Sequence, residues 1–220
     1  MSWARPFHFL TFLVALAALV LQLVLVAQGH AVLDESSRPD AATRILRYFS
    51  YLTIWSNALV AWSTGTLAFG IDQDSRVWRA LRLDAIVICF GGGVVHFFFL
   101  RPLLELDGAD LLADKLLHMV VPLLAVIGWV AFGPRGRATR ADLLPFLVVP
   151  VIWLVYTLVR GAFVDWYPYP FIDVLEHGYG VVLLNAVGIS CFLVGMAYLV
   201  IAVDRRLTPT VEDRPAARPG

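Results

Sequence analysis

Charged residues are scarce in this sequence, and that scarcity excludes an ordinary soluble domain. Only 15% of the 220 residues are charged, whereas about 25% is usual for soluble globular proteins. Hydrophobic residues make up 60% of the chain, and the mean hydropathy is +0.76. The formal net charge is zero, so the charge balance does not indicate a nucleic-acid partner. The composition therefore predicts a membrane protein whose partners are lipids.

Cysteine is also scarce. The chain has two cysteines, Cys89 and Cys191, and no CxxC motif, which gives neither a redox motif nor a thiolate metal site. We interpret both as packing residues. The sequence also lacks an internal repeat and a pair of broken helices at the membrane midplane, and both absences weigh against a transporter. From these features we expect no bound cofactor or metal.

Long apolar blocks dominate the chain. Each reaches the length of about 20 residues with which a helix crosses a bilayer, and the first is too long for the apolar core of a secretory signal. The predicted spans are 7–27, 47–69, 83–103, 115–133, 143–161 and 179–203. The sequence therefore predicts an all-α polytopic bundle of six transmembrane helices over residues 1–204, followed by a short disordered cytoplasmic tail at 205–220.

The distribution of Lys and Arg predicts the orientation, because cytoplasmic loops carry an excess of these residues. With the N-terminus in the cytoplasm, 11 of the 17 basic residues lie on the inner side and 6 on the outer side. This bias places both termini in the cytoplasm, which agrees with an even number of spans. We therefore expect a multi-pass protein of the cell membrane with residues 162–178 outside.

The stretch RYFSYLTIWSN, residues 47–57, carries polar side chains inside a predicted span. At 100° per residue, Ser50, Thr53 and Asn57 fall on one face of the second helix, so this face is expected to point into the bundle. Hydrogen bonding between helices is the common role of such residues in membranes, and that role suits Ser50 and Asn57. Thr53 differs because of its expected neighbours.

Ionisable side chains are expected to gather near the outer end of the bundle, at about the depth of Thr53. Asp114 and His118 share one face of the fourth span at an i, i+4 spacing. The full set comprises His96 in the third span, Asp114 and His118 in the fourth, and Asp173, Glu176 and His177 in the loop before the sixth. Ionisable residues inside a membrane indicate a functional site.

A threonine beside a histidine can perform ester chemistry. A hydroxyl group is a poor nucleophile until a base accepts its proton, and neutral imidazole is the usual base. Thr53 and His118 enter the membrane from the same side at similar depth, so a hydrogen bond between them is possible. Such a pair, just below the membrane surface, can reach the ester bond of a lipid.

Three segments carry a resemblance to a known family. YFSYLTIWSN, ADKLLHMVVP and WYPYPFIDVLEHGYG are similar to the matching segments of the androgen-induced family of six-span membrane proteins, which includes the androgen-dependent TFPI-regulating protein. The resemblance extends from the second span to the sixth. It is closest to the bacterial members, which also share VVH in the third span and FGPRG after the fourth. The animal members are atypical hydrolases that cleave fatty acid esters of hydroxy fatty acids with a membrane-embedded Thr and His.

The resemblance implies an intramembrane lipid ester hydrolase. It assigns the nucleophile to Thr53, in the motif YLT, and the base to His118, in the motif LLH. In the animal members a Thr follows the histidine and an Asn precedes it, whereas here Met119 and Asp114 stand in those places. An Asp one turn before His118 can orient the imidazole.

Further residues are expected to support the site, and other functions stay open. The supporting set is Ser50, Asn57, His96, Asp114, Asp173 and His177. The oxyanion donor is Asn57, His96 or a backbone amide, of which we favour Asn57. The three histidines with Asp114, Asp173 or Glu176 can bind zinc that activates water. His96 and His118 can ligate a haem from both sides. A non-enzymatic six-helix scaffold is the last alternative.

Overall fold

The computed structural model describes residues 3–30 and 39–207, so most of the predicted tail at 205–220 lies outside the described residues. Within these two ranges the chain is helical and has no strand. The α-helices are α1 (Ala4–Gln28), α2 (Ala41–Tyr48), α3 (Leu52–Ala68), α4 (Arg76–Val95), α5 (Gly108–Lys115), α6 (Val121–Phe132), α7 (Leu143–Phe146), α8 (Val148–Val164) and α9 (Val174–Asp204). Two π-helical turns are His96–Leu100 and Leu116–Val120, and three 3₁₀ turns are Arg101–Leu103, Arg140–Asp142 and Pro170–Ile172.

Five helical stretches in the described part are long and apolar enough to cross a membrane. They are Ala4–Gln28, Arg76–Leu103, Gly108–Phe132, Arg140–Val164 and Val174–Asp204. Each corresponds to one predicted span, so the all-helical fold is confirmed for the described residues, and the five apolar helices are compatible with a multi-pass membrane protein. The predicted second span, 47–69, differs because it is divided between the end of α2 and the 17-residue helix α3.

The interruption between α2 and α3 covers residues 49–51, and two tryptophans stabilise it. The indole N–H of Trp55 donates to the main-chain oxygen of Phe49 at 2.8 Å. The indole N–H of Trp153 donates to the main-chain oxygen of Ser50 at 2.9 Å. These bonds satisfy carbonyl groups that a continuous helix would have paired. Non-helical backbone at membrane depth is tolerated when it is buried in protein in this way.

The core consists of two clusters of buried side chains. The larger cluster joins α1, α3 and α6 through residues such as Ala15, Val60 and Val121. The smaller one joins α4, α7 and α9 and includes Ile88, Phe146 and Leu193. Burial of apolar side chains from every long helix makes the bundle a single packed unit.

The first residues of α1 and the last residues of α9 lie at the same end of the bundle. The ring of His8 in α1 lies 6.5 Å from that of Phe132, the last residue of α6. One turn earlier in α6, the indole N–H of Trp129 donates to Asp204 at the end of α9, at 2.9 Å. At this end Asp72 also pairs with Arg82 at 2.7 Å. The helices therefore run up and down, with the candidate site at the opposite end.

Candidate functional site

Thr53 lies in the first turn of α3, as a direct result of the interruption before that helix. The first four N–H groups of a helix have no partner within the helix. The N–H of Thr53 instead donates to the hydroxyl oxygen of Tyr169, at 3.3 Å. The continuous span predicted from the sequence would have paired this N–H inside the helix. The break thus leaves both the hydroxyl and the N–H of Thr53 available at one point.

His118 joins Thr53 to Asp114. Thr53 Oγ1 lies 3.3 Å from His118 Nε2. On the other side of the ring, His118 Nδ1 lies 3.0 Å from Asp114 Oδ1 and 3.1 Å from the main-chain oxygen of Asp114. The structure therefore brings the three residues into one chain of contacts, in the order hydroxyl, imidazole, carboxylate.

The contacts of His118 determine which ring nitrogen carries the proton. The two atoms next to Nδ1 are both oxygens of Asp114, which can only accept, so Nδ1 carries a proton and donates it to the main-chain oxygen, with the carboxylate beside it. In the neutral ring, Nε2 then has a free lone pair that faces the hydroxyl of Thr53. This is the tautomer that a general base for Thr53 requires.

His96 stacks on His118 and contacts the same carboxylate. The two imidazole rings are 3.6 Å apart at their centroids and only 5° from parallel. His96 Nε2 lies 2.8 Å from Asp114 Oδ1, at an angle that does not form a hydrogen bond. Arg101 Nε approaches Asp114 Oδ2 at 3.8 Å and offsets part of its charge. His96 therefore fixes the plane of the His118 ring from one side.

Two π-helical turns place the stacked rings. His96 begins one of them and His118 is the central residue of the other. A π turn widens the helix by one residue and is frequent at functional sites. Gly93, one turn before His96, permits the close approach of the two segments. A Cβ atom on Gly93 would lie only 2.5 Å from the main-chain oxygen of His118, so no side chain is tolerated there without displacement.

Asn57, the expected oxyanion donor, is already committed to the backbone. Its amide nitrogen donates to the main-chain oxygens of Thr53 at 2.8 Å and Leu117 at 3.2 Å. These two bonds use both amide protons and tie α3 to the turn that carries His118. Its Oδ1 atom is buried and makes no hydrogen bond. Asn57 thus positions the two candidate catalytic residues through its two amide hydrogen bonds.

Ser50 lies in the interruption before α3, and not on the face of that helix. Its hydroxyl donates to the main-chain oxygen of Leu46 at 2.9 Å and lies 3.0 Å from the hydroxyl of Tyr156. The residue is almost fully buried. Ser50 therefore stabilises the end of α2, and only Thr53 and Asn57 of the predicted stripe reach the site.

Tyr169 is the site residue that the sequence did not reveal. It lies in the loop between α8 and α9, and the sequence alone did not assign it to the site. Its hydroxyl oxygen is 3.3 Å from both Thr53 N and Thr53 Oγ1. Burial raises the pKa of Tyr169 above its ordinary value of 10.0, so the phenol keeps its proton at neutral pH. A protonated hydroxyl group is therefore held against the candidate nucleophile.

The three remaining ionisable residues of the expected set, Asp173, Glu176 and His177, lie away from Thr53 and His118. Asp173 caps α9, where its carboxylate accepts from the N–H groups of Leu175 and Glu176. His177 lies at the surface and approaches Glu176 at 3.9 Å. None of these residues lines either of the cavities beside Thr53.

Two cavities meet at Thr53 and His118. The first lies between α3, α4, α8 and α9 and has a predominantly apolar lining that includes Ile88, Trp153 and Leu193. The second, on the other side, contains more polar groups, including Gln22, Tyr48, Asp110 and Asp114. Thr53, His96, His118 and Tyr169 line both cavities. The pair therefore occupies the wall between an apolar space and a more polar one.

The histidine cluster can be compared with what zinc or haem requires. Among residues 3–30 and 39–207, one group of His, Cys, Asp and Glu side chains is close enough to hold a metal ion. It comprises His96, Asp114 and His118, with ligand atoms within 4.8 Å of one another. The oxygen–nitrogen distances of 2.8 and 3.0 Å are shorter than the roughly 3.3 Å between two ligands of tetrahedral zinc, so the three groups would have to move apart to hold the ion. Rings stacked 3.6 Å apart leave no room for a macrocycle between them, so the haem arrangement does not fit.

The comparisons with known proteins supply no further assignment for this site. No protein-family model matches the chain. No curated protein matches it. No solved structure matches it either.

Proposed function

We propose that the protein is an intramembrane lipid ester hydrolase in which Thr53 is the nucleophile and His118 the general base. The observation that carries the proposal is the chain of contacts from Thr53 Oγ1 through His118 Nε2 and Nδ1 to Asp114. The 3.3 Å separation of hydroxyl and imidazole is long for a hydrogen bond. Catalytic hydrogen bonds are often long in the free enzyme and shorten when substrate is bound.

The proposed reaction has two stages. His118 Nε2 accepts the proton of Thr53, and Oγ1 attacks the ester carbonyl to form a tetrahedral intermediate. The protonated Nε2 then gives its proton to the leaving alcohol, which leaves an acyl group on Thr53. Water repeats the sequence: His118 removes its proton, the hydroxide attacks the acyl group, and Thr53 recovers its proton as the fatty acid leaves. Asp114 stabilises the imidazolium at each stage.

Tyr169 and the N–H of Thr53 are the proposed oxyanion donors. In the structure the N–H of Thr53 donates to the hydroxyl oxygen of Tyr169, so a bound substrate would displace this bond and place its carbonyl oxygen beside both donors. Thr53 is also in the first turn of α3, where the helix dipole favours negative charge. Preorganised donors of this kind stabilise the charge that develops in the transition state.

The proposed substrates are lipid esters taken from the membrane. Two features support this class: the site lies within a bundle of long apolar helices, and an apolar cavity leads away from Thr53. The resemblance in the sequence suggests fatty acid esters of hydroxy fatty acids or related esters. Membrane lipids are thus the expected partners of the protein.

We also propose that the chain crosses the cell membrane six times, with α2 and α3 together forming the second crossing. The 17 residues of α3 span about 26 Å, close to the hydrocarbon thickness of about 30 Å. The ends of α1 and α9 that meet at one end of the bundle would then lie in the cytoplasm. The excess of arginine on that side supports the orientation.

Zinc-dependent hydrolysis is the second candidate function, favoured by the convergence of His96, Asp114 and His118. A zinc ion there would activate water directly, and Thr53 would be a neighbour and not the nucleophile. Asp114 lies closer to both histidines than two ligands of one zinc ion would, and for this reason we prefer the threonine mechanism.

The test of the proposed function is hydrolysis of lipid esters by the purified full-length protein in proteoliposomes. Release of fatty acid from esters of hydroxy fatty acids is measured for the wild type and for the Thr53→Val variant, which replaces the hydroxyl by a methyl group of similar size. We expect release by the wild type alone. Equal release by a folded Thr53→Val variant would overturn the proposal.

A further inference from the structure

The apolar cavity beside Thr53 has the form of a pocket for one hydrocarbon chain. Its lining includes Thr53, His118 and Tyr169 at one end of α4 and extends along that helix as far as Ile88. From His96 to Ile88 the helix advances by eight residues, or about 12 Å at 1.5 Å per residue. The cavity therefore continues from the reacting hydroxyl toward the middle of the bundle.

The walls of this cavity are predominantly apolar, although Ser56, Asn57 and Ser190 also line it. Ile88, Trp153, Ile189 and Leu193 provide apolar surface from α4, α8 and α9. The N–H of Trp153 is already donated to Ser50. A bound chain would gain about 25 cal/mol for each square ångström of apolar surface that it buries, whereas a charged group would lose its hydration. The predominantly apolar walls therefore favour an apolar chain.

Gly92 keeps part of the cavity open. A Cβ atom at this position would meet no other atom within 4 Å, although the residue lies in the interior of α4 and lines the cavity. Glycine in a helix interior costs about 1 kcal/mol relative to alanine. Close helix packing is the usual compensation, and it does not apply here because nothing lies next to the missing side chain. A larger side chain at this position would enter the cavity.

The second cavity indicates the orientation in which the ester substrate would bind. It begins on the other face of Thr53 and His118 and contains Asp110 and Asp114, so it suits the alcohol portion of the ester and the incoming water. His118 lines both cavities, which lets Nε2 reach the leaving oxygen on the second side. The acyl chain would then occupy the first cavity.

We infer that the cavity between α4, α8 and α9 is an acyl-chain pocket and that Gly92 sets how long an acyl chain it accepts. This inference rests on the proposed function, because it assigns the two sides of the ester to the two cavities. It adds that selectivity depends on the acid portion of the substrate and much less on the alcohol portion.

The experiment compares two series of esters with the purified protein and with its Gly92→Leu variant. In one series the acyl chain grows from acetyl to palmitoyl on a constant methyl alcohol, and in the other an acetyl group is joined to alcohols of growing length. We expect Gly92→Leu to lower the ratio of kcat/KM for palmitoyl over acetyl esters by about 10-fold or more. The ratio in the alcohol series should not change.

Gly188→Leu is the matched control. Gly188 also lies in a helix interior, and a Cβ there would also meet nothing within 4 Å, but it lines none of the cavities beside Thr53. We expect both ratios to stay at wild-type values in this variant. A fall in the alcohol series instead of the acyl series would overturn the assignment of the two cavities, and unchanged ratios in a folded Gly92→Leu protein would overturn the pocket.

A binding measurement separates the pocket from the hydrolase function. Electron spin resonance of nitroxide-labelled stearic acid, added to the protein in detergent, reports an immobilised fraction when the chain is enclosed. We expect this fraction in the wild type and in Gly188→Leu, and its loss in Gly92→Leu. Immobilisation without hydrolysis of any ester would remove the proposed reaction and keep the pocket. Hydrolysis without immobilisation would remove the pocket alone.

Discussion

Gly93 in α4 lies directly against the main chain of His118, next to the two π-helical turns. A Cβ on Gly93 would lie 2.5 Å from the main-chain oxygen of His118 and 3.7 Å from Pro122 Cγ. Hydrogen is thus the largest group that this position of α4 accepts. Because His118 must be within reach of Thr53 on α3, the contact sets the position of the base as well as the packing of two helices.

We predict that Gly93→Ala lowers both the stability of the protein and its catalytic rate, and that the two effects can be measured separately. The added methyl group must push the His118 segment away from α4, at an overpacking cost of about 1–3 kcal/mol. A displacement of about 1 Å at a catalytic group can reduce the rate about 100-fold. The melting temperature in detergent and kcat measured on the folded fraction give the two effects. Gly188→Ala, which adds a methyl group where nothing lies within 4 Å, should affect neither.

Part of the site follows from the sequence for identifiable reasons. Asp114 and His118 are four residues apart, and this spacing places them on one helix face whether or not a π turn intervenes. Thr53 and His96 could be expected nearby because hydropathy places the ends of their spans at the same side of the membrane. The contact between Thr53 and His118 and the stack of His96 on His118 agree with these expectations.

Other parts of the site depend on contacts that local sequence does not encode. Residues 49–51 fall within the predicted helical span 47–69. Their interruption is stabilised by Trp55 and Trp153, which supply N–H donors to the freed carbonyls. Trp153 is about a hundred residues away in the chain. Tyr169 likewise reaches Thr53 from a distant loop. The hydropathy pattern does not distinguish a single π turn from an α-helix, so neither of the two π turns could be predicted from the sequence.

Replacement of Tyr169 by Phe should lower kcat far more than it changes KM. The phenol proton is held in place by burial, which raises the pKa of Tyr169, and the proposed contact with the oxyanion exists only in the transition state. Loss of one oxyanion donor costs about 100- to 1,000-fold in kcat. Steady-state kinetics on a soluble short-chain ester measures both constants.

Tyr167→Phe is the control for that substitution, because Tyr167 is also buried and lies in the same loop but packs on Gly161. It should retain wild-type kcat. A change in KM alone for Tyr169→Phe would assign the residue to substrate binding and leave the oxyanion to the N–H of Thr53 and other donors.

Asp114→Asn should inactivate the protein because the carboxylate charge is lost, and not because a metal ligand is lost. The amide keeps the shape of the carboxylate but no longer stabilises the imidazolium, a change that costs about 10⁴-fold in triad hydrolases. Asp107→Asn, at an exposed position just before α5 that makes no capping bond, should have no effect. Wild-type activity should persist in strong chelators, and elemental analysis should find no stoichiometric zinc. Loss of activity on chelation and recovery with zinc would favour the cluster of His96, Asp114 and His118 as a metal centre.

The proposed orientation predicts which loop can be labelled from outside. Asp165 ends α8 with a left-handed backbone conformation (φ 49°) and is exposed, so a cysteine there should react readily. In cells expressing a variant with both native cysteines replaced, an impermeant maleimide should label Asp165→Cys before permeabilisation. A cysteine in place of Arg205, at the other end of the bundle, should be labelled only afterwards. The reverse pattern would invert the orientation.

Thr53 and His118 should behave as one catalytic unit. When two residues act in the same step, removal of either costs about as much as removal of both. Thr53→Ala, His118→Ala and the double variant should therefore lose similar amounts of activity. If the two residues served only to pack α3 against the turn at 116–120, each change would lower stability, the losses would add, and the folded fraction would stay active.

A fluorophosphonate probe tests the same pair without a substrate, because it reacts covalently with activated hydroxyl groups. The wild type should be labelled at Thr53, and His118→Ala should prevent labelling although the hydroxyl is still present. Thr64→Ala is the control. Thr64 lies on the same helix, but its hydroxyl donates to the main-chain oxygen of Val60 at 2.7 Å and not to a histidine. It should leave labelling intact. Peptide mapping that locates the adduct on another residue, or labelling that persists in folded Thr53→Ala, would remove Thr53 as the nucleophile and leave it a role in holding Tyr169.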